Sequence, residues 1–309
     1  MHNAALDRLP DPVNPFAGID ISQLERSLQR PRTLVSVILS GVVTCLTLAA
    51  LVPLFSVVLM LLWRGGRRLS LALFTQLPPA PLEQGGGFGN AIVGTLIMIG
   101  IAAVISLPMG LLSAIFLAQA PKENRTANAV RFAAKVLTGF PSILAGVFAY
   151  GALVLVTGGY SALGGGVALS ILMLPTILLT AEDAIRMVPS KMYEAAVGMG
   201  ATRAQTVWMV LLPTALPGVL TGVMLAVARA AGETAPLLFT ALFSNYWPVV
   251  HGHVKLMQPT ASLAVLIYNF SSMPFENQVD LAWAAALVLV LIVLVTNLIG
   301  QSLSRRQVQ

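Results

Sequence analysis

The sequence predicts an all-α integral membrane protein with six transmembrane helices. Three observations lead to this fold class. The mean hydropathy is +0.84, 57% of the residues are hydrophobic while only 10% are charged, and several apolar runs are long. A run of about 20 apolar residues is the length that crosses a hydrocarbon core as a helix. A chain of this composition belongs in a bilayer and not among soluble globular proteins.

The hydrophobic runs define the order of the segments. Six candidate spans cover residues 34–63, 91–118, 136–157, 164–182, 214–243 and 281–303. The resulting organisation is a cytoplasmic tail (1–32), a first transmembrane helix (33–63), a periplasmic loop (64–89), a five-helix core (90–303) and a cytoplasmic tail (304–309). Within the N-terminal tail, Ile21, Leu24 and Leu28 share one helical face, which predicts a short helix on the inner membrane surface.

The basic residues predict the orientation. With a cytoplasmic N-terminus, thirteen Lys and Arg residues lie on the inner side and four on the outer side, as the positive-inside rule requires. Three of the outer four, Arg64, Arg67 and Arg68, oppose the rule. We interpret them as contacts to the outer lipid headgroups. Both termini are therefore expected in the cytoplasm.

Several functional classes are disfavoured by simple counts. The single cysteine, Cys45, allows no intrachain disulfide and no cysteine metal site. His251 and His253 form an H-x-H pair, but with only distant carboxylates we expect exposed loop histidines and no metal. The basic residues are spread beside apolar segments, which argues against nucleic acid as a partner. No Gly-Lys pair occurs, so there is no Walker A motif, and any ATP is bound by another subunit.

The segment 189–213, "PSKMYEAAVGMGATRAQTVWMVLLP", predicts two short helices on the cytoplasmic side. Pro189 and Ser190 can begin a helix, Gly200 can end it, and the following polar residues can begin a second helix. A pair of short helices at an angle forms a projection that another protein can contact. We call residues 189–213 the docking segment.

The docking segment resembles the EAA signature of ABC importer permeases, over twenty positions. The matching residues are Glu194, Ala195, Ala196, Gly200, Ala201, Leu212 and Pro213. The resemblance implies that this segment couples the chain to an ATPase, with the small Ala195 and Ala196 permitting close approach. The alternative is an interfacial helix pair that contacts only lipid headgroups.

Charged residues also lie just before the docking segment. Glu182, Asp183 and Arg186 have i,i+3 and i,i+4 spacing at the inner end of the fourth span. Such pairs stabilise a helix end. We favour this structural interpretation over a role in transport.

Two charges lie inside the fifth span, in "RAAGETAPLLFTA". If this span is centred in the bilayer, Arg229 is near the middle and Glu233 is one turn, about 6 Å, further out. An isolated arginine there would cost on the order of 3 kcal/mol. Pairing with Glu233 offsets part of that cost, so a purely structural ion pair is one interpretation.

The spacing of small residues favours a second interpretation, a substrate pathway. A line of small residues repeats every four positions and lets another helix pack closely, at the seam with a second permease: Gly218, Gly222, Ala226 and Ala230. Arg229 and Glu233 lie on the adjoining line and would face that seam. A guanidinium presents paired N–H donors that match an oxyanion such as phosphate.

Five segments together resemble the PstA-type permeases of the phosphate-specific ABC transporter, over roughly residues 86–303. They are "GGFGNAIVGTL", "GFPSILAGVFAYG", "ARAAGETAPLLFTALF", "PTASLAVLIYNF" and "PFENQVDLAWAAALVLVLIVLVTNLI". The resemblance implies a type I ABC importer permease of the bacterial inner membrane that moves phosphate by alternating access. It places Arg229, Glu233 and Thr234 on the phosphate path.

The resemblance also implies the partners. They are a second, PstC-type permease, a homodimeric PstB-type ATPase that holds ATP and Mg, and a periplasmic phosphate-binding protein, while this chain binds no cofactor. One departure is Leu179, since many relatives carry an arginine late in the fourth span. A permease for molybdate or sulfate, or an ATPase-independent channel or secondary transporter, remains an alternative.

Overall fold

A computed structural model describes residues 31–121 and 123–305. The short helix predicted around Ile21 and Leu28 lies outside these residues. The chain divides into two compact units, one ending at Leu59 and the other running from Met60. The described part of the first unit is helical, and the functional residues discussed below all belong to the second.

The longer helices, in chain order, are α1 Pro31–Met60, α2 Gly89–Gln119, α3 Arg125–Thr138, α4 Ser142–Ala149, α5 Ala162–Arg186, α6 Ser190–Gly198, α7 Arg203–Gly232, α8 Ala235–Thr240, α9 Leu263–Ser271 and α10 Glu276–Arg305. Short helical turns occupy Gly66–Arg68, Ala72–Thr75 and Leu155–Thr157, and π-helical turns occupy Leu61–Gly65, Tyr150–Val154 and, within α7, Val207–Leu211. Two strands, β1 Val249–Val250 and β2 His253–Val254, form an antiparallel hairpin.

Within the described residues, five helices are long and apolar enough to cross a membrane: α1 with its continuation to Arg68, α2, α5, α7 and α10. They confirm helices at the predicted spans 34–63, 91–118, 164–182 and 281–303, and over residues 214–232 of the predicted span 214–243, and with them the multi-pass architecture. The first helix does not end at Trp63, because the π-helical turn lets it continue to Arg68. The predicted boundary between helix and loop at residue 64 is therefore wrong.

The predicted span 136–157 is not one straight helix. Its residues divide between the end of α3 and the helix that begins at Ser142, and the two axes are bent by 105°. Pro141 explains the break, because a proline disfavours the helical conformation of the residue before it. If α3 and the helical segment that begins at Ser142 are counted together as one bent segment, they form a sixth candidate span.

The fifth span also ends earlier than expected. Helix α7 stops at Gly232, Glu233 has extended backbone angles (φ −75°, ψ 124°), and α8 begins at Ala235. Glu233 therefore lies just beyond the helix and not within a continuous helix that reaches residue 243.

Helix α5 lies at the centre of the second unit. Its buried residues, such as Leu169, Met173 and Ile177, form one apolar cluster with side chains of α2 and α7. A second apolar cluster joins α9 and α10 to Phe88 and Leu73. The first cluster fixes α7 against α5 and so determines which side of α7 remains accessible.

Candidate functional site

The docking segment has the local structure that its sequence predicts. Pro189 precedes the first turn of α6, and Gly200 has φ +86°, a left-handed conformation that glycine adopts at low cost. Thr202 caps α7, because its hydroxyl accepts from the Gln205 backbone N–H at 3.3 Å while its own N–H donates to Gln205 Oε1 at 2.8 Å. This reciprocal capping box defines where the second helix begins.

The two alanines of the docking segment have different environments. Glu194, Ala195 and Gly200 are exposed, whereas Ala196 is buried and its carbonyl accepts from the Ala201 N–H at 3.0 Å. The expectation that Ala196 offers a contact surface is wrong, since it packs inside its own chain. Of the pair, Ala195 is the residue open to a partner.

A cavity of about 620 Å³ opens beside the docking segment. Its walls include Tyr193, Glu194 and Arg203 from the segment and Arg186 and Gln119 from the ends of α5 and α2. Leu212 is partly buried and Pro213 is exposed further along α7. The segment therefore borders a depression with polar and charged walls.

Arg229 and Glu233 come together, as the sequence predicts. The Arg229 Nε lies 3.5 Å from Glu233 Oε1, and the side chains are 39% and 17% exposed. Among the described residues this ion pair is the one polar contact of the Arg229 side chain. The separation is at the limit of hydrogen bonding, so the guanidinium N–H donors are largely uncommitted.

The chain on both sides of Glu233 is firmly packed. Ala230 and Ala231 are buried before it, and Pro236 and Leu237 after it. Gly146 allows α4 to touch Pro236 directly, since a Cβ at Gly146 would lie 2.6 Å from the Pro236 Cα. The break at Glu233 and Thr234 is thus a fixed feature, and Thr234, which makes no side-chain cap to α8, is partly exposed at it.

The small-residue line of α7 packs inside this chain. Gly222 faces Thr180, and a Cβ at Gly218 would lie 2.7 Å from the Ala184 Cβ, both on α5. Ala226 and Ala230 are also buried. The expected use of this line at the seam with a second permease is therefore incorrect, because α5 already fills it.

The adjoining line of α7 is the accessible one. Thr221, Leu225 and Arg229 are exposed at four-residue spacing. The antiparallel contacts of Gly218 and Gly222 with Ala184 and Thr180 set the register between α7 and α5. Extended by seven residues, this register places Arg229 level with position 173, near the middle of α5. The accessible arginine is thus well away from both ends of α5.

A second charge cluster lies at the other end of α5. Glu182, whose side chain is 4% exposed, binds Arg131 Nη2 at 2.7 Å and Arg186 Nε at 2.9 Å. Arg186 also donates to the Leu117 carbonyl at 2.9 Å, and Arg131 donates to Asn128 at 2.8 Å. The predicted pairing of Glu182 with Arg186 is confirmed. Arg131 was not predicted, because it is 51 residues from Glu182 and no local spacing indicates the contact.

Leu179 lies beside this cluster. It lines a cavity of about 470 Å³ together with Arg131, Lys135, Asp183 and Glu182. The apolar side chain also packs on the small cluster around Leu117 and Ala134. The cations of this cavity come from α3 and the end of α5.

The histidines are exposed at the hairpin: His251 lies in the turn and His253 in β2. A further cavity of about 710 Å³ opens next to the hairpin and is lined by Trp247, Val250 and Lys255, among others.

Comparison with known sequences identifies relatives over most of the chain. Residues 106–309 match the family described as binding-protein-dependent transport system inner membrane component. The phosphate transport system permease protein PstA of Yersinia pestis is 37% identical over 77% of this chain and 79% of its own length. PstA of Xylella fastidiosa is 39% identical over 80% and 84%, and the probable PstA of Methanocaldococcus jannaschii is 34% identical over 82% and 88%.

Solved structures share the fold at low sequence identity. A bacterial alginate ABC transporter, in complex with its pentasaccharide-bound periplasmic protein, superposes with a TM-score of 0.62 over 91% of this chain and 98% of its own, at 16% identity. The inward-facing MetNI methionine ABC transporter gives a TM-score of 0.55 over 71% and 93%, at 21% identity. These likenesses show an ABC importer permease architecture.

Proposed function

This chain belongs to the family of binding-protein-dependent inner membrane permeases and, within it, to the PstA permeases, and from this premise we propose that it moves inorganic phosphate into the bacterial cell. The relatives that share 34–39% identity carry the name phosphate transport permease. The chain would supply one half of the path and a second, PstC-type permease the other half. The cycle is alternating access of a site near the middle of the membrane.

The accessible guanidinium of Arg229 is the observation that carries the proposal. It lies level with the middle of α5, is 39% exposed, and has, within the described part of the chain, a single partner at 3.5 Å. A cation kept at such a depth without a close counter-ion is costly, and an oxyanion would satisfy its planar set of donors. Glu233 and Thr234 lie beside the Arg229 guanidinium. The Glu233 carboxylate partly offsets its positive charge, and Thr234 provides a hydroxyl.

The energy would come from a partner. We assign ATP and Mg to a homodimeric PstB-type ATPase that contacts the docking segment, since this chain has no Walker A lysine, and we assign it no cofactor and no catalytic step. The exposed Ala195 and Glu194 beside a polar depression of about 620 Å³ support this contact. A periplasmic phosphate-binding protein would deliver the anion from the other side.

Uptake and copurification test the proposal together. Cells that express the chain with its partners should accumulate radiolabelled phosphate, with little competition from excess sulfate or molybdate. An ATPase subunit should copurify with the parent chain and be lost with Ala195→Arg, which places a bulky charge on the docking surface. Competition by molybdate equal to that by phosphate would indicate a different oxyanion. Transport that persists without any ATPase would contradict the importer mechanism.

The orientation is tested by labelling. On a Cys45→Ser background, a cysteine in the hairpin at Gly252 should react with a membrane-impermeant maleimide added outside intact cells. A cysteine at Thr202 should react only after the inner face is made accessible. This follows from placing thirteen of the basic residues, and both termini, in the cytoplasm. The reverse pattern of labelling would invert the orientation and exclude the docking segment from contact with a cytoplasmic ATPase.

A further inference from the structure

A group of arginines and tryptophans surrounds the start of α10, far along the chain from Arg229. We define the arginine–tryptophan cluster as Trp63, Arg64, Arg67, Arg68 and Trp283. The Arg67 guanidinium carbon lies 4.7 Å from the ring centroid of Trp63, and that of Arg64 lies 5.9 Å from the ring of Trp283. These are cation–π distances. The stacked faces leave the N–H edges of both guanidinium groups available to an anion.

The cluster is held in place by contacts from other parts of the chain. Gly65 is buried against α10, since a Cβ there would lie 2.7 Å from the Trp283 carbonyl oxygen. Arg68 donates to the Asn277 side-chain oxygen. The Asn277 amide in turn donates to the carbonyls of Glu83 at 2.8 Å and Gly85 at 3.2 Å. The Arg68 side chain therefore has a structural role through its hydrogen bond to Asn277. Arg64 and Arg67 extend from a helix end that these contacts hold in place.

The described residues do not balance the charge of the cluster. Within residues 31–121 and 123–305, no carboxylate forms an ion pair with Arg64, Arg67 or Arg68. Asp280 lines the same cavity of about 400 Å³, so three cations face one anion. Arg64 and Arg67 are exposed. The cavity thus offers donors and net positive charge to an anionic group from outside the chain.

An apolar groove adjoins the charged cavity. It has a volume of about 360 Å³ and runs between α9 and α10, with walls from Ile267, Ser271, Val279, Ala282, Trp283, Ala286 and Arg64. Arg64 therefore borders both the charged cavity and the groove. Tryptophan beside arginine is typical of the level at which lipid headgroups meet the hydrocarbon region.

We propose that the arginine–tryptophan cluster and this groove together bind an anionic glycerophospholipid. The lipid phosphate accepts from Arg64 and Arg67, and one acyl chain lies along the groove past Trp283 and Ala286. A free phosphate ion would use only the charged cavity and would leave the apolar groove empty. The two adjoining surfaces match an amphipathic ligand, and the unbalanced positive charge selects an anionic headgroup over a zwitterionic one.

Native mass spectrometry of the detergent-purified chain tests the proposal with phosphatidylglycerol as the probe. The parent should retain phosphatidylglycerol more tightly than phosphatidylcholine of the same acyl chains. The double variant Arg64→Gln with Arg67→Gln should bind phosphatidylglycerol about 25-fold more weakly, taking about fivefold per arginine near an anionic surface. Ala286→Leu should also weaken binding by filling the groove, without any change of charge.

A matched control removes the same charge elsewhere. Arg125 and Lys135 are exposed on α3, and Arg125→Gln with Lys135→Gln should leave phosphatidylglycerol affinity close to that of the parent. Equal losses in the two double variants would show unspecific attraction and overturn the proposal. Displacement of the lipid by millimolar inorganic phosphate would overturn it in favour of a free-anion site. If the parent chain retains phosphatidylglycerol and phosphatidylcholine equally, that result alone contradicts the proposal.

Discussion

The two arginine–glutamate groups of the second unit differ in how completely they are satisfied. In the closed cluster of Arg131, Glu182 and Arg186, two arginines bind one carboxylate at 2.7 and 2.9 Å, and that carboxylate is almost fully buried. In the open pair of Arg229 and Glu233, the single contact is 3.5 Å and the arginine is 39% exposed. Both include an i,i+4 pair, so spacing in the sequence does not distinguish them.

The number of partners distinguishes a charged side chain that holds the fold together from one that is available to a ligand. Glu182 joins α3 to α5, and Arg186 joins α5 to α2 through the Leu117 carbonyl. Removing one member would leave a buried charge without a partner, which is expensive. Among the residues that the structure describes, the Arg229 side chain contacts only the neighbouring Glu233 carboxylate. We infer that the closed cluster stabilises the fold and that the open pair serves the substrate.

Exchanging the charges of the closed cluster should have the largest effect. The double variant Glu182→Arg with Arg186→Glu keeps an i,i+4 pair but places a guanidinium beside Arg131. We expect a loss of about 3 kcal/mol in the free energy of unfolding and a fall in membrane protein. Quantitative immunoblotting of membranes and a thermal unfolding curve in detergent measure this. Parent levels and stability would mean that Arg131 is not bound as the structure shows.

The same exchange at the open pair should abolish transport while the protein remains. The double variant Arg229→Glu with Glu233→Arg keeps one arginine and one glutamate at the same two positions, but a carboxylate takes the place of the accessible guanidinium. Repulsion of an anion there is about 4 kcal/mol at 4 Å, so phosphate uptake should fall below about 1% of the parent. Phosphate uptake near that of the parent in this variant would show that the open pair is only a structural contact.

Arg229→Lys should have an intermediate effect. The charge is kept and the planar set of donors is lost. Loss of one charged hydrogen bond predicts a reduction of about tenfold in uptake at limiting phosphate, with membrane levels unchanged. Initial uptake rates over a range of phosphate concentrations provide the measurement. Uptake equal to that of the parent would show that Arg229 contributes only its charge.

Neutralising Glu233 should have only a small effect on stability. Because Arg229 is substantially exposed, Glu233→Gln should change the free energy of unfolding by less than about 1 kcal/mol. The corresponding Glu182→Gln variant is the control and should cost several times more. Both are read from thermal unfolding of the purified chain under one set of conditions. Equal losses of stability in Glu233→Gln and Glu182→Gln would contradict the distinction between the open pair and the closed cluster.

Local sequence rules predicted the features that depend on neighbouring residues. The helix at Ala162–Arg186, the break at Gly200 and the second helix after it follow from hydrophobic length and capping residues. The proximity of Arg229 and Glu233 follows from i,i+4 spacing. These features are confirmed because each is decided within a few residues of the chain.

Features that depend on distant residues were not predictable in this way. Apolarity alone did not reveal the 105° bend before Ser142 or the end of α7 at Gly232, because both are breaks within apolar sequence. The small residues of α7 indicated close packing but not the identity of the partner helix, which is α5. Arg131 and Glu182 are 51 residues apart in the sequence, and only the fold brings them together.

The π-helical turn within α7 has a mechanical consequence. This turn, Val207–Leu211, lies within the docking segment, and Pro217 lies between that segment and Arg229. Both interrupt regular helical hydrogen bonding, and such interruptions are where helices bend. Beyond Pro217, α7 is locked to α5 through Gly218 and Gly222. We infer that this part of α7 is where a movement of the docking segment could be transmitted: Arg229 lies about 18 Å along the helix from Pro217, so a change of roughly 20° in the bend there would displace Arg229 by about 6 Å.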